Sequence, residues 1–226
     1  MSLSVHSSPR GVIFDLDGTL IDTLGDISTC LNITLAEFSL AVVTMEQARA
    51  MIGEGLTTLL QRASGETDAT RLAALVDRYR AEYRRRMFEC TRAYDGVNAM
   101  LEELRKSGAP MCVLSNKSDE FTVPLVAHYF GRIPFLAVRG DTGESSRKPD
   151  PTHALALART MRREPGDVLF VGDSSTDIHT ARNAGMIAVA VTWGFRDREH
   201  LLKESPDHVI ESPRQVVRLV IPGRDV

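Results

Sequence analysis

The stretch Gly11-Val-Ile-Phe-Asp-Leu-Asp-Gly-Thr-Leu20 decides the fold of this chain. Its apolar residues 12–14 predict a buried strand, and Gly18 marks a turn after it. Asp15 and Asp17 follow the strand two residues apart, so their carboxylates lie close together. Neighbouring carboxylates repel each other and resist burial unless a cation or a shared proton compensates them. Taken alone, the pair is equally consistent with a turn aspartate followed by a helix-capping aspartate.

Further apolar runs of strand length alternate with helical patterns along the chain. The strand-like runs are residues 111–114, 133–138, 168–171, 187–191 and 208–210. The helical patterns are residues 97–106, 120–129, 152–161 and 177–184, with a last helix after the final strand. This alternation predicts an α/β fold, a doubly wound, Rossmann-like parallel sheet with helices on both faces. We expect the loop Trp193-Gly-Phe195, which follows the fifth strand, to pack against this core.

One segment interrupts the alternation. From about Asp22 to Glu89 the sequence has helical periodicity and no convincing strand. We therefore expect an α/β core domain made of residues 1–22 and 90–226, and an inserted all-helical cap domain made of residues 23–89. Because the insertion leaves the core directly after the aspartate pair, we expect it to lie over that pair.

The composition is typical of a soluble globular protein, with 43% apolar and 25% charged residues. The net charge of −3 gives no electrostatic reason to expect a nucleic-acid partner. No apolar run approaches the roughly 18 residues that span a bilayer, so we expect no membrane association. The cysteines Cys30, Cys90 and Cys112 form no C-x-x-C pair, which favours reduced thiols in the cytoplasm.

Three more short motifs lie at the ends of predicted elements. Ser115-Asn116-Lys117 follows the second strand, Lys148-Pro149 precedes a helix, and residues 172–177 (Gly-Asp-Ser-Ser-Thr-Asp) follow another strand. Each motif alone is as consistent with caps and turns as with a functional site. A doubly wound sheet, however, brings the carboxyl ends of its strands to one crevice. Carboxylate oxygens there suit Mg²⁺, and a hydroxyl, a lysine and helix-terminal N–H groups suit a phosphoryl group.

In this order and context, the four motifs resemble those of the haloacid dehalogenase superfamily of phosphohydrolases. Residues 51–56, 147–151 and 170–185 are similar, more narrowly, to its phosphoglycolate phosphatase branch. The resemblance implies a Mg²⁺-dependent phosphomonoester hydrolase that acts through an aspartyl-phosphate intermediate. It implies a small phosphorylated metabolite as substrate, with 2-phosphoglycolate favoured and inorganic pyrophosphate or a sugar phosphate as rivals. A monomer and a homodimer are both open.

Carried over residue by residue, the resemblance makes Asp15 the nucleophile and Asp17 the acid and base. Mg²⁺ would be bound by the Asp15 side chain, the Asp17 backbone carbonyl and Asp173. Asp177 would not bind the ion directly but would orient its ligands or its waters. The groups that would hold the phosphoryl oxygens or support them are Ser115, Lys148, Thr19 and the backbone N–H groups near Gly18 and Asn116.

Some relatives are disfavoured by particular residues. A dehalogenase has no alkoxide to protonate, and that group replaces the residue that is Asp17 here. Phosphonate-cleaving relatives use a cap lysine, whereas residues 23–89 contain no lysine. Mutases of similar build usually carry Val-Ile where this chain has Thr19-Leu20, which weakens a mutase interpretation. A non-catalytic phosphate-binding regulatory protein is disfavoured because all four motifs keep their reactive residues.

The insertion is expected to select the substrate. Gly53 and Gly55 bracket Glu54 in a loop that can close over the crevice. Arg49 and Arg62 flank this loop and are candidates for pairing with the carboxylate of a small substrate. These five residues are therefore the predicted specificity determinants.

Overall fold

The computed structural model describes residues 10–143 and 146–221. The strands are β1 (Gly11–Phe14), β2 (Ile21–Asp22), β3 (Arg92–Ala93), β4 (Met111–Ser118), β5 (Ala137–Asp141), β6 (Val168–Gly172), β7 (Ile187–Val191) and β8 (His208–Ile210). The helices are α1 (Leu24–Glu37), α2 (Met45–Met51), α3 (Leu56–Ser64), α4 (Ala69–Arg86), α5 (Val97–Ser107), α6 (Asp119–Phe130), α7 (Thr152–Thr160), α8 (Ser175–Ala184), α9 (Arg198–Lys203) and α10 (Arg214–Val220).

Six strands form one parallel sheet in the order β5-β4-β1-β6-β7-β8. Strand β1 lies in the interior, and the later strands are added first on its β4 side and then on its β6 side. Adjacent connections that leave a sheet in opposite directions open a crevice at the carboxyl ends of the strands. The doubly wound α/β fold predicted from the sequence is confirmed, and the crevice lies beside the end of β1.

The sheet is buried on both faces, and β1 shows this most clearly. Val12 and Phe14 belong to one hydrophobic cluster, which includes side chains of α5, α6 and α10. Ile13 points the other way and packs in a second cluster with side chains of α7 and α8. All three side chains are fully buried. Burial on both faces explains why the strand is a continuous apolar run rather than an alternating one.

The chain between β2 and β3 forms the four helices α1 to α4, and residues 23–89 contain no strand. Leu31, Leu60 and Tyr83 of these helices join the cluster that holds Val12. The helical segment, residues 23–89, therefore packs on the sheet through shared apolar contacts. Its division from a core domain stays a prediction, and the predicted core limits at 1–9 and 222–226 lie outside the described residues. Within the described ranges, no helix is long and apolar enough to cross a membrane.

The two connections between the helical segment and the sheet are fixed to each other. Strands β2 and β3 pair as a short antiparallel ribbon. The buried carboxylate of Asp26 in α1 accepts the N–H groups of Cys90 and Thr91 at 2.8 and 2.9 Å and the Thr91 hydroxyl at 2.6 Å. Because the segment leaves and returns through this one place, these contacts set its position over the sheet.

Two strands differ from the sequence-based prediction. Strand β4 was expected over 111–114 but runs to Ser118, so residues 115–117, which were expected to follow it, lie within it. Residues 133–138 were expected to form the next strand, but β5 begins at Ala137. The chain leaving α6 turns first, since the Ile133 N–H donates to Phe130 and the Phe135 N–H donates to Ile133. Ile133 and Phe135 are apolar because they pack against the core from this turn. An apolar run of strand length cannot by itself tell such a turn from a strand.

Candidate active site

The site begins where β1 ends. The N–H of Asp15 donates to the carbonyl of Val171 on β6 at 2.9 Å, so the chain is still held to the sheet at this residue. The Asp15 side chain lies in the crevice and is nearly buried. Its Oδ1 atom is 2.8 Å from Nζ of Lys148. The Asp15 carboxylate is therefore covered by the protein except where it lines the cavity described below.

Two aspartates from the end of β6 and the start of α8 complete a carboxylate cluster. Asp15, Asp173 and Asp177 each place an oxygen within 4.8 Å of the others, and all three are buried. Burial, followed by the charges of Asp177 and Asp15, raises the pKa of Asp173 to about 8. Burial also raises the pKa of Asp15, although Lys148 opposes this shift. The cluster thus holds more negative charge than its protein partners compensate.

Lys148 is the main cation of the cluster. Its Nζ atom lies 2.8 Å from Asp15 and 2.7 Å from Asp177. Burial disfavours the charged form, but these two carboxylates outweigh it and raise the pKa of Lys148, so the ammonium stays protonated. The backbone of Lys148 is held by the amide of Asn116, which accepts its N–H at 2.9 Å and donates to its carbonyl at 3.0 Å. Asn116 therefore fixes the loop that carries the lysine.

The loop after β7 holds Asp173. The Phe195 N–H donates to Asp173 Oδ2 at 2.6 Å, and the Thr19 hydroxyl lies 3.4 Å from Oδ1. The Trp193 indole N–H donates to the Thr19 carbonyl at 3.0 Å. The sequence-based prediction gave this loop a packing role only, which is incomplete. No motif marks a backbone N–H as a ligand-orienting donor, so the sequence carried no signal for this function.

Gly18 supports the site differently from the prediction. Its φ of 83° suits glycine, and a Cβ atom there would lie 2.2 Å from Asp173 Oδ2. The prediction counted backbone N–H groups near Gly18 as phosphate ligands. The N–H of Gly18 itself donates to the carbonyl of Ile21 at 2.9 Å and closes the turn. Gly18 thus contributes space beside Asp173.

Asp17 has partners of its own. The Thr23 hydroxyl donates to its Oδ1 at 2.8 Å. Nζ of Lys117 lies 3.0 Å from Oδ2 and 3.2 Å from Oδ1. The Lys117 side chain is only 8% exposed. Sequence reasoning missed this role of Lys117. Lysine occurs only four times in the chain, and this scarcity is the one signal in the sequence that singles it out.

A cavity between the helical segment and the sheet contains these groups. Asp15, Asp17, Ser115, Lys148 and Asp173 line its inner end. The residues that line it from α1, α3, α4, α6 and the loop before α3 include Ile27, Leu56, Leu59, Tyr79, Tyr83, Phe121, Ile52, Gly53 and Gly55. The site is therefore polar where the sheet ends and mainly apolar where the helices cover it.

The five predicted specificity residues are divided by this arrangement. Gly53 and Gly55 line the cavity. Glu54 points elsewhere and pairs with Arg62 at 2.7 Å, and both side chains are about half exposed. Arg49 lies 3.8 Å from the exposed Glu46. Neither arginine lines the cavity, so the structure does not bring the two predicted carboxylate-binding residues to the site.

Contacts from the sheet hold the helical segment over the cavity. The Arg196 guanidinium donates to the carbonyls of Arg49 at 2.7 Å, Ala50 at 3.1 Å and Ile52 at 2.7 Å. These carbonyls lie at the end of α2, where a helix has unpaired acceptors and a partial negative charge. The Asn116 amide donates to the Gly53 carbonyl at 3.0 Å. The glycine loop is thus held against the loops that form the site.

The donor set of the carboxylate cluster fits a magnesium ion. Asp15 and Asp173 offer hard carboxylate oxygens close together, which is the ligand type that Mg²⁺ prefers. The raised pKa of Asp173 indicates a carboxylate that lacks sufficient positive charge nearby. Asp177 is already engaged by Lys148 and by the Ser174 N–H and hydroxyl at 3.1 and 2.6 Å. A divalent cation beside Asp15 and Asp173 would supply the missing charge.

Comparisons with known proteins agree with this geometry. Residues 12–191 match a family model described as haloacid dehalogenase-like hydrolase. The chain is 34% identical over 218 residues to the phosphoglycolate phosphatase of Xylella fastidiosa, covering 95% of this chain and 94% of that one. It is 36% identical over 207 residues to the phosphoglycolate phosphatase of Agrobacterium fabrum, covering 88% and 87%.

A solved structure supports the same relationship. The crystal structure of a predicted phosphoglycolate phosphatase from Haemophilus somnus matches with a TM-score of 0.88 at 25% identity, covering 94% of this chain and 98% of that chain. The similarity extends over the sheet and the helical segment together. The chain belongs to the haloacid dehalogenase-like hydrolases.

Proposed function

We propose that the protein is a Mg²⁺-dependent phosphomonoesterase that works through an aspartyl-phosphate intermediate. The observation that carries this proposal is the carboxylate of Asp15, which lies at the inner end of the cavity between Lys148 and Asp173. A carboxylate attacks a phosphate dianion only when cations screen their repulsion. Lys148 supplies one such charge, and a magnesium ion supplies the rest.

In the first step, a carboxylate oxygen of Asp15 forms a bond to phosphorus while the bond from phosphorus to the leaving oxygen breaks. Asp17 gives its proton to the leaving alkoxide. In the second step, water attacks the phosphorus, Asp17 takes its proton, and the acyl phosphate bond to Asp15 breaks. Inorganic phosphate leaves, and both aspartates return to their starting states. Lys148 and the Ser115 hydroxyl stabilise the phosphoryl oxygens throughout.

The magnesium ion would be held by the side chains of Asp15 and Asp173 and by the backbone carbonyl of Asp17. When bound, it neutralises charge on the transferring phosphoryl group. Asp177 would keep its place behind these ligands, which agrees with its contacts to Lys148 and Ser174. The Asn116 side-chain amide bonds to the Lys148 backbone and to the Gly53 carbonyl, so it positions the lysine. The backbone N–H groups near Asn116 would still bind the phosphoryl oxygens.

We propose 2-phosphoglycolate as the substrate. Phosphoglycolate phosphatases that align over most of the chain support this choice. A cavity with few polar groups under the helices suits a short leaving group better than a polyol, whose hydroxyls would lose hydrogen bonds on entry. Inorganic pyrophosphate and small sugar phosphates are the rival substrates within the same chemistry.

The proposal also includes the domain organisation, the cellular compartment and the oligomeric state. Residues 23–89 would act as a cap over an α/β core of residues 1–22 and 90–226. Cys30, Cys90 and Cys112 are unpaired, which supports a reducing compartment such as the cytoplasm. The oligomeric state, monomer or homodimer, stays a prediction.

Asp15→Asn tests the mechanism. The amide cannot act as an anionic nucleophile, so we expect Mg²⁺-dependent hydrolysis of 2-phosphoglycolate and of an aryl phosphate to fall at least about 10³-fold. The measurement is phosphate release under saturating Mg²⁺, with circular dichroism to confirm the fold. Asp77→Asn, on the exposed face of α4, is the matched control and should keep full activity. Full activity of the Asp15 variant would show that the mechanism is wrong.

A further inference from the structure

We propose that Lys117 and the hydroxyl of Tyr83 form a recognition site for an anionic group on the leaving part of the substrate. This inference rests on the proposed function and deepens it, because it names the residues that select the substrate. The ligand it predicts is a small carboxylate, one or two carbons from the oxygen that leaves phosphorus.

The position of Lys117 follows from that of Asp17. Its Nζ atom lies within 3.2 Å of both carboxylate oxygens of Asp17. Asp17 is the proposed proton donor to the leaving oxygen, so that oxygen must come within hydrogen-bond distance of it. A substituent one or two bonds further along then falls beside the Lys117 ammonium. The ammonium has three N–H donors, and the pair with Asp17 does not exhaust them.

Tyr83 offers the second contact. Its ring lies 4.5 Å from Nζ of Lys117 and stacks on Tyr79 at 5.5 Å, so the side chain is held in place. The residue is fully buried and lines the cavity. Among the described residues its hydroxyl has no hydrogen-bond partner. Burial raises the pKa of Tyr83 well above the ordinary value, so the hydroxyl keeps its proton and can donate. A buried donor without a partner is costly, and a ligand oxygen would satisfy it.

The other cations near the cavity are committed elsewhere. Within the described part of the chain, the cationic side chains that line it are Lys117, Lys148 and Arg196. Lys148 contacts two carboxylates of the catalytic cluster. Arg196 donates to three backbone carbonyls at the end of α2. Lys117 is therefore the cation placed to meet a charge on the leaving group.

Much of the wall that the helices contribute is apolar. Ile27, Ile52, Leu56, Leu59 and Phe121 line the same cavity as Lys117 and Tyr83, and the Phe121 ring lies 5.0 Å from the Tyr83 ring. These side chains offer no hydrogen bonds to the hydroxyl groups of a sugar. In an apolar surrounding the attraction between the ammonium and a carboxylate is stronger than in water. The chemistry of the wall thus favours one compact anion.

A pair of substrates with matched size separates recognition from catalysis. We would measure kcat/KM for 2-phosphoglycolate and for 2-hydroxyethyl phosphate, in which a neutral hydroxymethyl group replaces the carboxylate. Lys117→Met also removes the ion-pair partner of Asp17, so both rates fall; we expect the loss with the first substrate to be about 30-fold greater than the loss with the second. For Tyr83→Phe we expect a loss of about 10-fold that is confined to 2-phosphoglycolate. Lys106→Met, an exposed lysine on α5, is the control and should match the native enzyme with both.

Equal losses with both substrates would overturn the proposal, because Lys117 would then act only through Asp17. Unchanged kinetics with both would overturn it as well. A second measurement does not depend on turnover: calorimetric binding of both compounds to Asp15→Asn with Mg²⁺, with and without Lys117→Met. A preference for 2-phosphoglycolate that disappears with Lys117→Met supports the proposal even if the native enzyme hydrolyses neither ester. Absence of that preference overturns it, whereas absence of hydrolysis alone contradicts the proposed function.

Discussion

Gly194 leaves no room for a side chain beside Asp173. A Cβ atom at this position would lie 2.3 Å from the Asp173 Cβ, 2.5 Å from its Oδ2 and 2.3 Å from the Gly18 carbonyl oxygen. Two of these three atoms belong to Asp173, a proposed metal ligand, and the third belongs to Gly18 beside it. The neighbouring Phe195 N–H is also the donor that orients Asp173. A methyl group at position 194 would therefore displace Asp173 although residue 194 is not itself a metal ligand.

We predict that Gly194→Ala weakens Mg²⁺ binding by about 10- to 100-fold, because the methyl group displaces Asp173 and the loop that holds it. Isothermal titration calorimetry of the metal-free protein measures this directly. Gly166→Ala is the matched control, since a Cβ atom there meets nothing within 4 Å. Equal Mg²⁺ affinities in the two variants would contradict the argument.

At this scale the sequence predicted most of the charged residues that meet in the crevice. Asp15, Lys148 and Asp173 could be chosen because the four motifs occur together in an order that resembles one family, although each motif alone is as consistent with a turn or a cap. The sequence could not predict the partner of Lys117. Its pairing with Asp17 spans 100 positions in the chain and depends on how far β4 extends beyond the sheet edge. Backbone donors such as the Phe195 N–H cannot be predicted from the sequence either, because every residue except proline has one.

Helix α2 is the helix whose end is hydrogen-bonded to the loop after β7. It is short, and its last carbonyls receive the three hydrogen bonds of Arg196. The chain then passes directly into the loop of Ile52, Gly53 and Gly55, which lines the cavity. Arg196 also follows the loop that orients Asp173. One side chain therefore connects the metal site to the part of the helical segment that covers it.

We predict that Arg196→Ala loosens this element without unfolding the protein. Three hydrogen bonds from a partly exposed guanidinium contribute about 1–3 kcal/mol in total. Hydrogen–deuterium exchange should show faster uptake in residues 45–55, while uptake in β1 and β6 stays as in the native protein. Arg198→Ala removes an exposed arginine that lies 3.6 Å from Glu211 and should change neither region. Unchanged uptake in residues 45–55 would contradict the role of Arg196.

Element by element, the predictions were accurate for most helices and for strands β6, β7 and β8. The helical patterns over 97–106, 120–129 and 152–161 agree with α5, α6 and α7 to within a residue or so at each end. The start of β5 was wrong because an apolar turn and an apolar strand have the same composition. The ribbon of β2 and β3 was not predicted, since two residues are too few to show a period of two.

Across the whole molecule, negative charge is concentrated at one point of the sheet. Burial and the neighbouring carboxylates raise the pKa of Asp173 to about 8, and burial raises that of Asp15. A carboxyl with a raised pKa contributes stability while it is protonated. This contribution is complete below about pH 4, the unfolded value, and is lost as the pH rises through the folded value. A bound metal ion reverses the preference, because it binds the ionised form.

We predict that the metal-free protein melts at a lower temperature at pH 8.5 than at pH 6. Saturating Mg²⁺ should raise the melting temperature more at pH 8.5, because at pH 6 the metal must first displace protons. Differential scanning calorimetry at both pH values, with and without Mg²⁺, measures this. Asp173→Asn should reduce the difference between the two pH values. A Mg²⁺ effect that is larger at pH 6 would contradict the assignment of these carboxylates.

The sequence by itself determined the fold class and the acidic and basic side chains that meet where the strands end. Apolar runs and helical periods are local properties of the chain, and a parallel sheet brings its strand ends together whatever the loops do. Only the tertiary structure decided which side chains line the cavity. The helical segment returns through the ribbon of β2 and β3, and this placement turns Arg49 and Arg62 away from the cavity and brings Tyr83 over Lys117. Those contacts depend on the packing of distant segments, which no local pattern encodes.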